Sequence, residues 1–282
     1  MRLSFWGVRG SVPVPDPAML GYGGNTSCVG VRLDDGSVLV LDAGTGIRGL
    51  GVALAGQRDD IHILLTHLHL DHIMGLLFFG PLFDPASKVT VWGPPAPDAG
   101  LRERLARYLS APLSPIEIRE LPAHVEFRQL PPEPVRVGSA LIEAALVNHR
   151  GPTIGYRITD GDAVLAYLPD HEPALGQNLE RDATEWISGS ELSRNASLLV
   201  HDAQYTPEEY QGTRGWGHST FGDALVYARR AEVERLALFH HDPTHDDARL
   251  DEIAGEARDQ WTDTGGDAAA LMIAREGMTL EF

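Results

Sequence analysis

The chain has little with which to build a disulfide-bonded or membrane-spanning protein. Its 282 residues include one cysteine, Cys28, which excludes an intramolecular disulfide and a zinc site built from thiolates. No run of about 18 or more apolar residues is present, and the N-terminal MRLSFWGVRG contains no apolar signal-peptide core. We therefore expect a cytoplasmic protein without membrane contact. Any metal that it holds must use histidine and carboxylate ligands.

Positive charge is also scarce. The chain has 40 acidic residues against 23 basic ones, a formal net charge of -17, and no lysine- or arginine-rich run. A surface of this sign repels polyanions, because lysine and arginine contacts to phosphates supply most nonspecific affinity for nucleic acids. We therefore predict that long nucleic acid is not a partner. A small anionic substrate held directly by metal ions is compatible with this charge.

The stretch THLHLDH, residues 66–72, is the part of the sequence around which the rest is organised. It places His67, His69, Asp71 and His72 directly after an apolar predicted strand, IHILL. Because residues two apart project to the same side of an extended backbone, His67 and His69 can reach one ion while Asp71 and His72 turn toward a second. Neutral imidazole and carboxylate suit zinc and neighbouring transition ions. A solvated, histidine-rich turn is the alternative, which we disfavour for this string.

Further ligand-type side chains follow other predicted strands. His149 comes after a strand predicted over residues 135–147, Asp170 after 163–168, and His240 after 236–239. Alone, each would be an ordinary surface residue, but donors at the ends of successive strands can converge on one edge of a sheet. His241 is the main rival to His240 as the last ligand. Asp42, which follows another predicted strand, is a candidate for orienting a ligand histidine.

The sequence predicts one domain spanning residues 1–282. Hydrophobic residues make up 43% of the chain, and its length is sufficient for a large core. No repeat, low-complexity tract or linker divides it, and the ligand candidates extend from His67 to His240, so both halves must fold together. Residues 116–121 are predicted to form a strand, and residues 268–282 a closing hairpin around Glu276 and Gly277.

These motifs resemble those of the metallo-β-lactamase superfamily over nearly the whole chain. The matching residues are HxHxDH at 67–72, then His149, Asp170 and His240 in that order. Three further features are similar to the phosphodiesterase branch, which includes ribonuclease Z-like proteins and phosphoribosyl cyclic phosphodiesterases: GYR at 155–157, HDAQ at 201–204 in place of HEAT, and HST at 218–220. The resemblance implies an α/β fold, a four-layer αββα sandwich with metals at one edge.

The resemblance also implies a role for each matching residue. The implied ligands are His67, His69 and His149 on one ion, Asp71, His72 and His240 on the other, and Asp170 as the bridge. His218 would donate a proton to the leaving group, with Asp202 holding it protonated and oriented, and Asp71 would join them in catalysis. The implied cofactors are two divalent metal ions, with zinc expected and manganese or iron also compatible.

The leading hypothesis is a metal-dependent phosphodiesterase acting on small or cyclic nucleotide-like diesters. A thioester or lactone hydrolase is a second hypothesis, disfavoured because a thiolate leaving group needs little protonation. A noncatalytic metal-binding sensor is a third. Precursor tRNA is not expected as a substrate, because the interval between His149 and Asp170 is too short for the protruding arm of ribonuclease Z-like enzymes. Whether the protein forms a homodimer is left open.

Overall fold

The computed structural model of the protein describes residues 1–57 and 60–282. Its strands are β1 (Arg2–Gly7), β2 (Cys28–Arg32), β3 (Val38–Leu41), β4 (Ile61–Leu64), β5 (Lys88–Gly93), β6 (His124–Gln129), β7 (Val135–Val137), β8 (Ala140–Leu146), β9 (Ile154–Asp160), β10 (Ala163–Leu168), β11 (Leu198–Asp202), β12 (Leu236–Phe239), β13 (Leu271–Ile273) and β14 (Thr279–Glu281). Its α-helices are α1 (Ile47–Ala53), α2 (Leu70–Ile73), α3 (Leu101–Ala106), α4 (Ser190–Ser193), α5 (Pro207–Thr213), α6 (Phe221–Arg230) and α7 (Asp247–Asp263). None of the helices in these two ranges has the length and hydrophobicity that a membrane crossing requires.

The strands form two mixed, seven-stranded sheets. The first has the order β14-β1-β2-β3-β4-β5-β6 and the second β13-β12-β11-β10-β9-β8-β7. Neighbouring strands run parallel from β3 to β6 and from β10 to β13. Parallel neighbours end on the same edge of their sheet. The residues that follow β3 and β4 therefore lie close together in the first sheet, and those that follow β10, β11 and β12 in the second.

Three separate cores show that the fold has four layers. One core, which includes Phe5, Tyr156 and Phe239, lies between the two sheets. A second core packs α6 and α7 against the second sheet, and a third packs α1 and α3 against the first sheet. Helices therefore cover the outer face of each sheet, and the predicted αββα sandwich is confirmed.

Two helix caps fix segments that lead to the site. At the start of α6, the Thr220 hydroxyl accepts a hydrogen bond from the Asp223 amide at 2.9 Å. At the start of α7, the Asp246 carboxylate accepts one from the Arg249 amide at 2.8 Å. Such caps satisfy amides that a helix leaves unpaired, at a gain of about 1 kcal/mol each. The Thr220 cap fixes the point where the HST segment becomes helical.

Two local predictions are wrong. The segment 116–121 forms a 3-10 turn at Ile118–Glu120 instead of a strand. The tail forms two strands, but β13 pairs with β12 in the second sheet whereas β14 pairs with β1 in the first. The segment around Glu276 and Gly277 therefore crosses from one sheet to the other, because each tail strand completes the edge of a different sheet.

Candidate metal centre

The loop after β4 presents two kinds of backbone to the site. His69 is extended, with φ -65° and ψ 152°, and α2 then begins at Leu70. His67 and His69 therefore lie in the loop before α2, whereas Asp71 and His72 lie on its helical turn. The two pairs fall into different groups of ligand-type atoms.

The structure brings all seven predicted ligands together in two groups. Ligand-type atoms lie within 4.8 Å of one another in a first group of His67, His69 and His149, and in a second group of Asp71, His72, Asp170 and His240. Asp170 lies between them: Nε2 of His72 is 3.1 Å from Oδ2, and Nε2 atoms of His240, His149 and His67 are 3.4, 3.8 and 3.9 Å from Oδ1. Asp170 thus lies within 4 Å of histidines from both groups.

The buried atoms at this centre fit divalent cations. His67 Nε2, His72 Nε2, His240 Nε2 and Asp170 Oδ2 are buried without a hydrogen-bond partner. Buried polar atoms are nearly always paired, so four unpaired ones converging on a small volume call for a cation. Burial, followed by the proximity of His72, holds the pKa of His67 well below its ordinary value, which favours the neutral imidazole that a metal requires.

Each of three ligand histidines has a fixed partner for its outer nitrogen. His72 Nδ1 donates to Asp42 Oδ2 at 2.8 Å, His149 Nδ1 to the Gly217 carbonyl at 2.7 Å, and His240 Nδ1 to Gln204 Oε1 at 2.9 Å. A proton on Nδ1 leaves the Nε2 lone pair free to face the centre. The structure therefore places Asp42 where the sequence suggested an orienting group.

Asp42 is itself held by several donors. Its carboxylate accepts from the Thr66 amide at 2.8 Å, the Thr66 hydroxyl at 3.0 Å and the Tyr167 hydroxyl at 3.0 Å. The Thr66 hydroxyl lies 3.0 Å from His67 Nδ1, so the same network reaches a second ligand. One buried carboxylate therefore orients residues from both groups.

Asp202 and His218 are in direct contact beside the ligands. Nδ1 of His218 is 2.6 Å from Asp202 Oδ2, although an aspartate here is shorter than the glutamate of HEAT. Burial acts to lower the pKa of His218, but the Asp202 carboxylate, together with those of Asp170 and Asp71, outweighs it and raises that pKa to about 9. The imidazole ring stacks on that of His240, with centroids 5.0 Å apart. The pair thus places an imidazole, bonded to a fixed carboxylate, beside the centre.

His240 and His241 point to different surroundings. Nε2 of His240 lies 3.4 Å from both Asp71 and Asp170. Nε2 of His241 instead donates to the Ala274 carbonyl at 2.7 Å. The structure therefore brings His240, and not its rival, into the ligand set.

Sequence reasoning missed several contacts that position the ligands. The Ser11 amide donates to Asp71 Oδ2 at 2.8 Å, and Gln204, part of the HDAQ string, supports His240. Ser11, Asp42 and His240 all have positive φ values, 62°, 58° and 61°, a conformation that is costly outside glycine and concentrates at functional sites. The HDAQ string was visible as a signal, but nothing in it showed which ligand Gln204 touches.

Comparisons with known proteins agree with this geometry. Residues 38–241 match the model of the family described as "Beta-lactamase superfamily domain". A ribonuclease Z of Haloferax volcanii is 28% identical, over 100% of this chain and 95% of that protein. Two solved structures share the fold: zinc-bound PqqB of Methylobacterium extorquens (TM-score 0.72, 18% identity, all of both chains) and a diphosphatase of the PhnP family (TM-score 0.67, 21% identity, 100% of this chain and 97% of that one).

One prediction is overturned by these relatives. The prediction that long nucleic acid, including precursor tRNA, is not a partner is wrong, because the relatives named ribonuclease Z align with almost the entire chain. The interval between His149 and Asp170 is a short two-stranded hairpin, as predicted, but its shortness does not exclude RNA. Net charge is a property of the whole surface. A bound substrate instead experiences the local electric field of a cation-binding centre.

The family match covers most of the chain and contains the loop after β4, Asp170 and His240. It confirms the predicted metal-dependent hydrolase, and the unpaired buried ligand atoms agree with divalent metal ions as its cofactor. The chain therefore belongs to the β-lactamase superfamily domain family, whose fold it shares.

Proposed function

We propose that a single domain spanning residues 1–282 is a metal-dependent phosphodiesterase acting on small or cyclic nucleotide-like diesters. The observation that carries the proposal is the 2.6 Å contact between Asp202 and His218 beside the ligand groups. An alkoxide leaving group needs a proton as its bond to phosphorus breaks, and a positioned imidazolium supplies one. A thiolate leaving group does not need it, so the pair favours a diester over a thioester.

The ligand assignment follows the two groups in the structure. We assign His67, His69 and His149 to one ion, Asp71, His72 and His240 to the other, and Asp170 to both. Bound divalent ions supply a water of lowered pKa and offset the charge on the phosphoryl oxygens. We propose zinc, because imidazole-rich sites suit it, and manganese and iron belong in the same metal titration.

The remaining steps depend on side chains of the chain itself. Because Nδ1 of His218 is bonded to Asp202, Nε2 is the nitrogen left to give a proton to the leaving group. Asp202 is fixed by the backbone amides of Gln204 and Ser219, both at 3.1 Å, so it holds the imidazole in one orientation. Asp71, which accepts from the Ser11 amide, is fixed in the same way on the ligand side.

The proposal is tested by assaying metal-loaded protein on bis(p-nitrophenyl) phosphate and on an acyl thioester of similar size. We expect metal-dependent cleavage of the diester at a higher kcat/KM than the thioester. A preference for the thioester would contradict the assignment, and two bound ions without turnover would support the sensor hypothesis. Cyclic mononucleotides, cyclic dinucleotides, phosphoribosyl cyclic phosphates and an RNA with a structured 3′ end then define the substrate.

A further inference from the structure

A short loop beside the ligands is held rigidly from behind. We call residues 214–217, between α5 and the HST segment, the tryptophan loop. Glu172, whose side chain lies in the interior at 1% exposure, accepts from the Gly215 amide at 2.7 Å, the Gly217 amide at 2.8 Å and the Tyr210 hydroxyl at 2.6 Å. A buried carboxylate with three donors is well compensated and costly to disturb. The loop backbone is therefore fixed in one conformation.

The other side of the tryptophan loop faces the metal ligands. Its Gly217 carbonyl accepts from His149 Nδ1 at 2.7 Å, and its Gly215 carbonyl accepts from Arg150 Nε at 3.0 Å. Gly217 has φ 96°, and a Cβ there would lie 2.4 Å from His149 Nδ1, so only glycine permits this approach. The loop thus borders the open side of the centre.

Trp216 is the large side chain that this rigid loop displays. It is 53% exposed, whereas Gly217 and His218 that follow it are buried. Single exposed apolar residues are common, but this indole is carried by a backbone bonded on both sides and next to the candidate acid. Arg150 and Arg214, both exposed, add positive charge in a chain whose net charge is -17. Arg214 belongs to the same loop, and Arg150 Nε donates to the carbonyl of Gly215, the residue before Trp216. A loop that carries an aromatic side chain and guanidinium groups suits a base that carries phosphate.

We propose that Trp216 stacks on the nucleobase of the substrate, while Arg150 and Arg214 attract its phosphate groups. This inference rests on the phosphodiesterase function proposed above and deepens it, because it identifies the substrate class as a diester with a nucleobase next to the scissile bond. Every base presents a π-face, so stacking of this kind tolerates different bases. Glu172 acts as a positioning residue that holds the platform in place.

The test compares the binding of two probes to zinc-loaded protein by calorimetry. Adenosine 5′-monophosphate and ribose 5-phosphate share a phosphate and a sugar, so the ratio of their Kd values isolates the base. We expect the wild type to bind the adenosine probe about tenfold tighter, the size of effect known for one stacked base. Trp216→Ala should reduce this preference to roughly twofold or less, whereas Trp216→Phe should retain most of it.

The matched control is Trp186→Ala, which removes another exposed indole, 73% exposed, from the 3-10 turn Thr184–Trp186. It should keep the wild-type ratio. An unchanged ratio in Trp216→Ala, or no preference in the wild type, would overturn the stacking role. Turnover of bis(p-nitrophenyl) phosphate by the same samples reports the proposed function separately: cleavage with an unchanged ratio refutes only the platform, and a Trp216-dependent ratio without cleavage refutes only the phosphodiesterase.

Discussion

The two ligand groups differ in how the protein encloses them. We call Asp71, His72, Asp170 and His240 the buried group, because all four are buried, and His67, His69 and His149 the open group, because its members range from buried to exposed. Buried ligands with fixed partners pay little entropy on binding an ion, whereas an exposed side chain must be ordered first. We therefore expect the buried group to bind its ion first.

Contacts from behind the ligands reinforce this difference. In the buried group, Asp42 orients His72 and Gln204 orients His240. In the open group, the Gly217 carbonyl holds His149 and the Thr66 hydroxyl contacts His67. His69 differs, because its Nδ1 lies 3.2 Å from His149 Nε2, so its contact is with another candidate ligand. We expect the buried group to hold its ion more tightly, and the open group, next to the tryptophan loop, to exchange its ion and meet the substrate.

Asp170→Ala should have the largest effect, because the Asp170 carboxylate, a member of the buried group, also lies within 4 Å of His67 and His149 of the open group. We expect loss of metal from at least one position and loss of most turnover on bis(p-nitrophenyl) phosphate. Metal per chain, measured by mass spectrometry after gel filtration, and kcat check this outcome. Two retained ions with a near-normal rate would show that the bridge lies elsewhere.

His69→Ala should affect only the open group. The variant is expected to retain one ion in the buried group and to lose the second. A calorimetric titration of the metal-free protein with zinc should then show only the tighter of the two binding steps. Loss of both ions would show that the groups bind as one unit and would break the distinction between them. His124→Ala, which removes an exposed histidine of β6, is the matched control and should titrate like the wild type.

Asp42→Asn weakens the buried group without emptying it. Asparagine tolerates the φ of 58° at this position, so the substitution removes charge and one acceptor while keeping size and backbone. Loss of such an orienting carboxylate costs about 10- to 100-fold in metal affinity. Chelator competition should show this loss at the tighter position, and an unchanged affinity there would argue that Asp42 serves only the fold.

His218→Ala should have the smallest effect on bound metal. Both ions should remain, while the rate falls by about 10²–10⁴-fold on alkyl diesters and much less on p-nitrophenyl diesters, whose leaving group needs little protonation. Comparing kcat/KM across leaving groups checks this prediction. Equal losses on both substrates would contradict the role of His218 as the acid.

The sequence allowed the convergence of three candidate ligands to be predicted, because each follows an apolar strand with parallel neighbours. His67, Asp170 and His240 come after β4, β10 and β12, and parallel strands bring such positions to one edge of their sheet. The resemblance to a known superfamily supplied their pairing. The local sequence pattern is thus sufficient to predict the location of a side chain when that side chain directly follows a strand.

The supporting contacts could not be predicted, because they depend on tertiary approach. Glu172 lies two residues after Asp170, yet its bonds are to Gly215 and Gly217, more than forty positions away. The tail was misassigned for a similar reason: alternating hydrophobicity identifies β13 and β14 as strands but does not say which sheet each one joins. The charge argument against RNA failed because composition averages over the surface.

The most direct test of the dinuclear assignment is a crystal structure of the metal-loaded protein with anomalous diffraction recorded at the zinc absorption edge. The account predicts two anomalous peaks, one among His67, His69 and His149 and one among Asp71, His72 and His240, each within a bond length of about 2 Å from Asp170. A single peak, or a second peak away from Asp170, would contradict it.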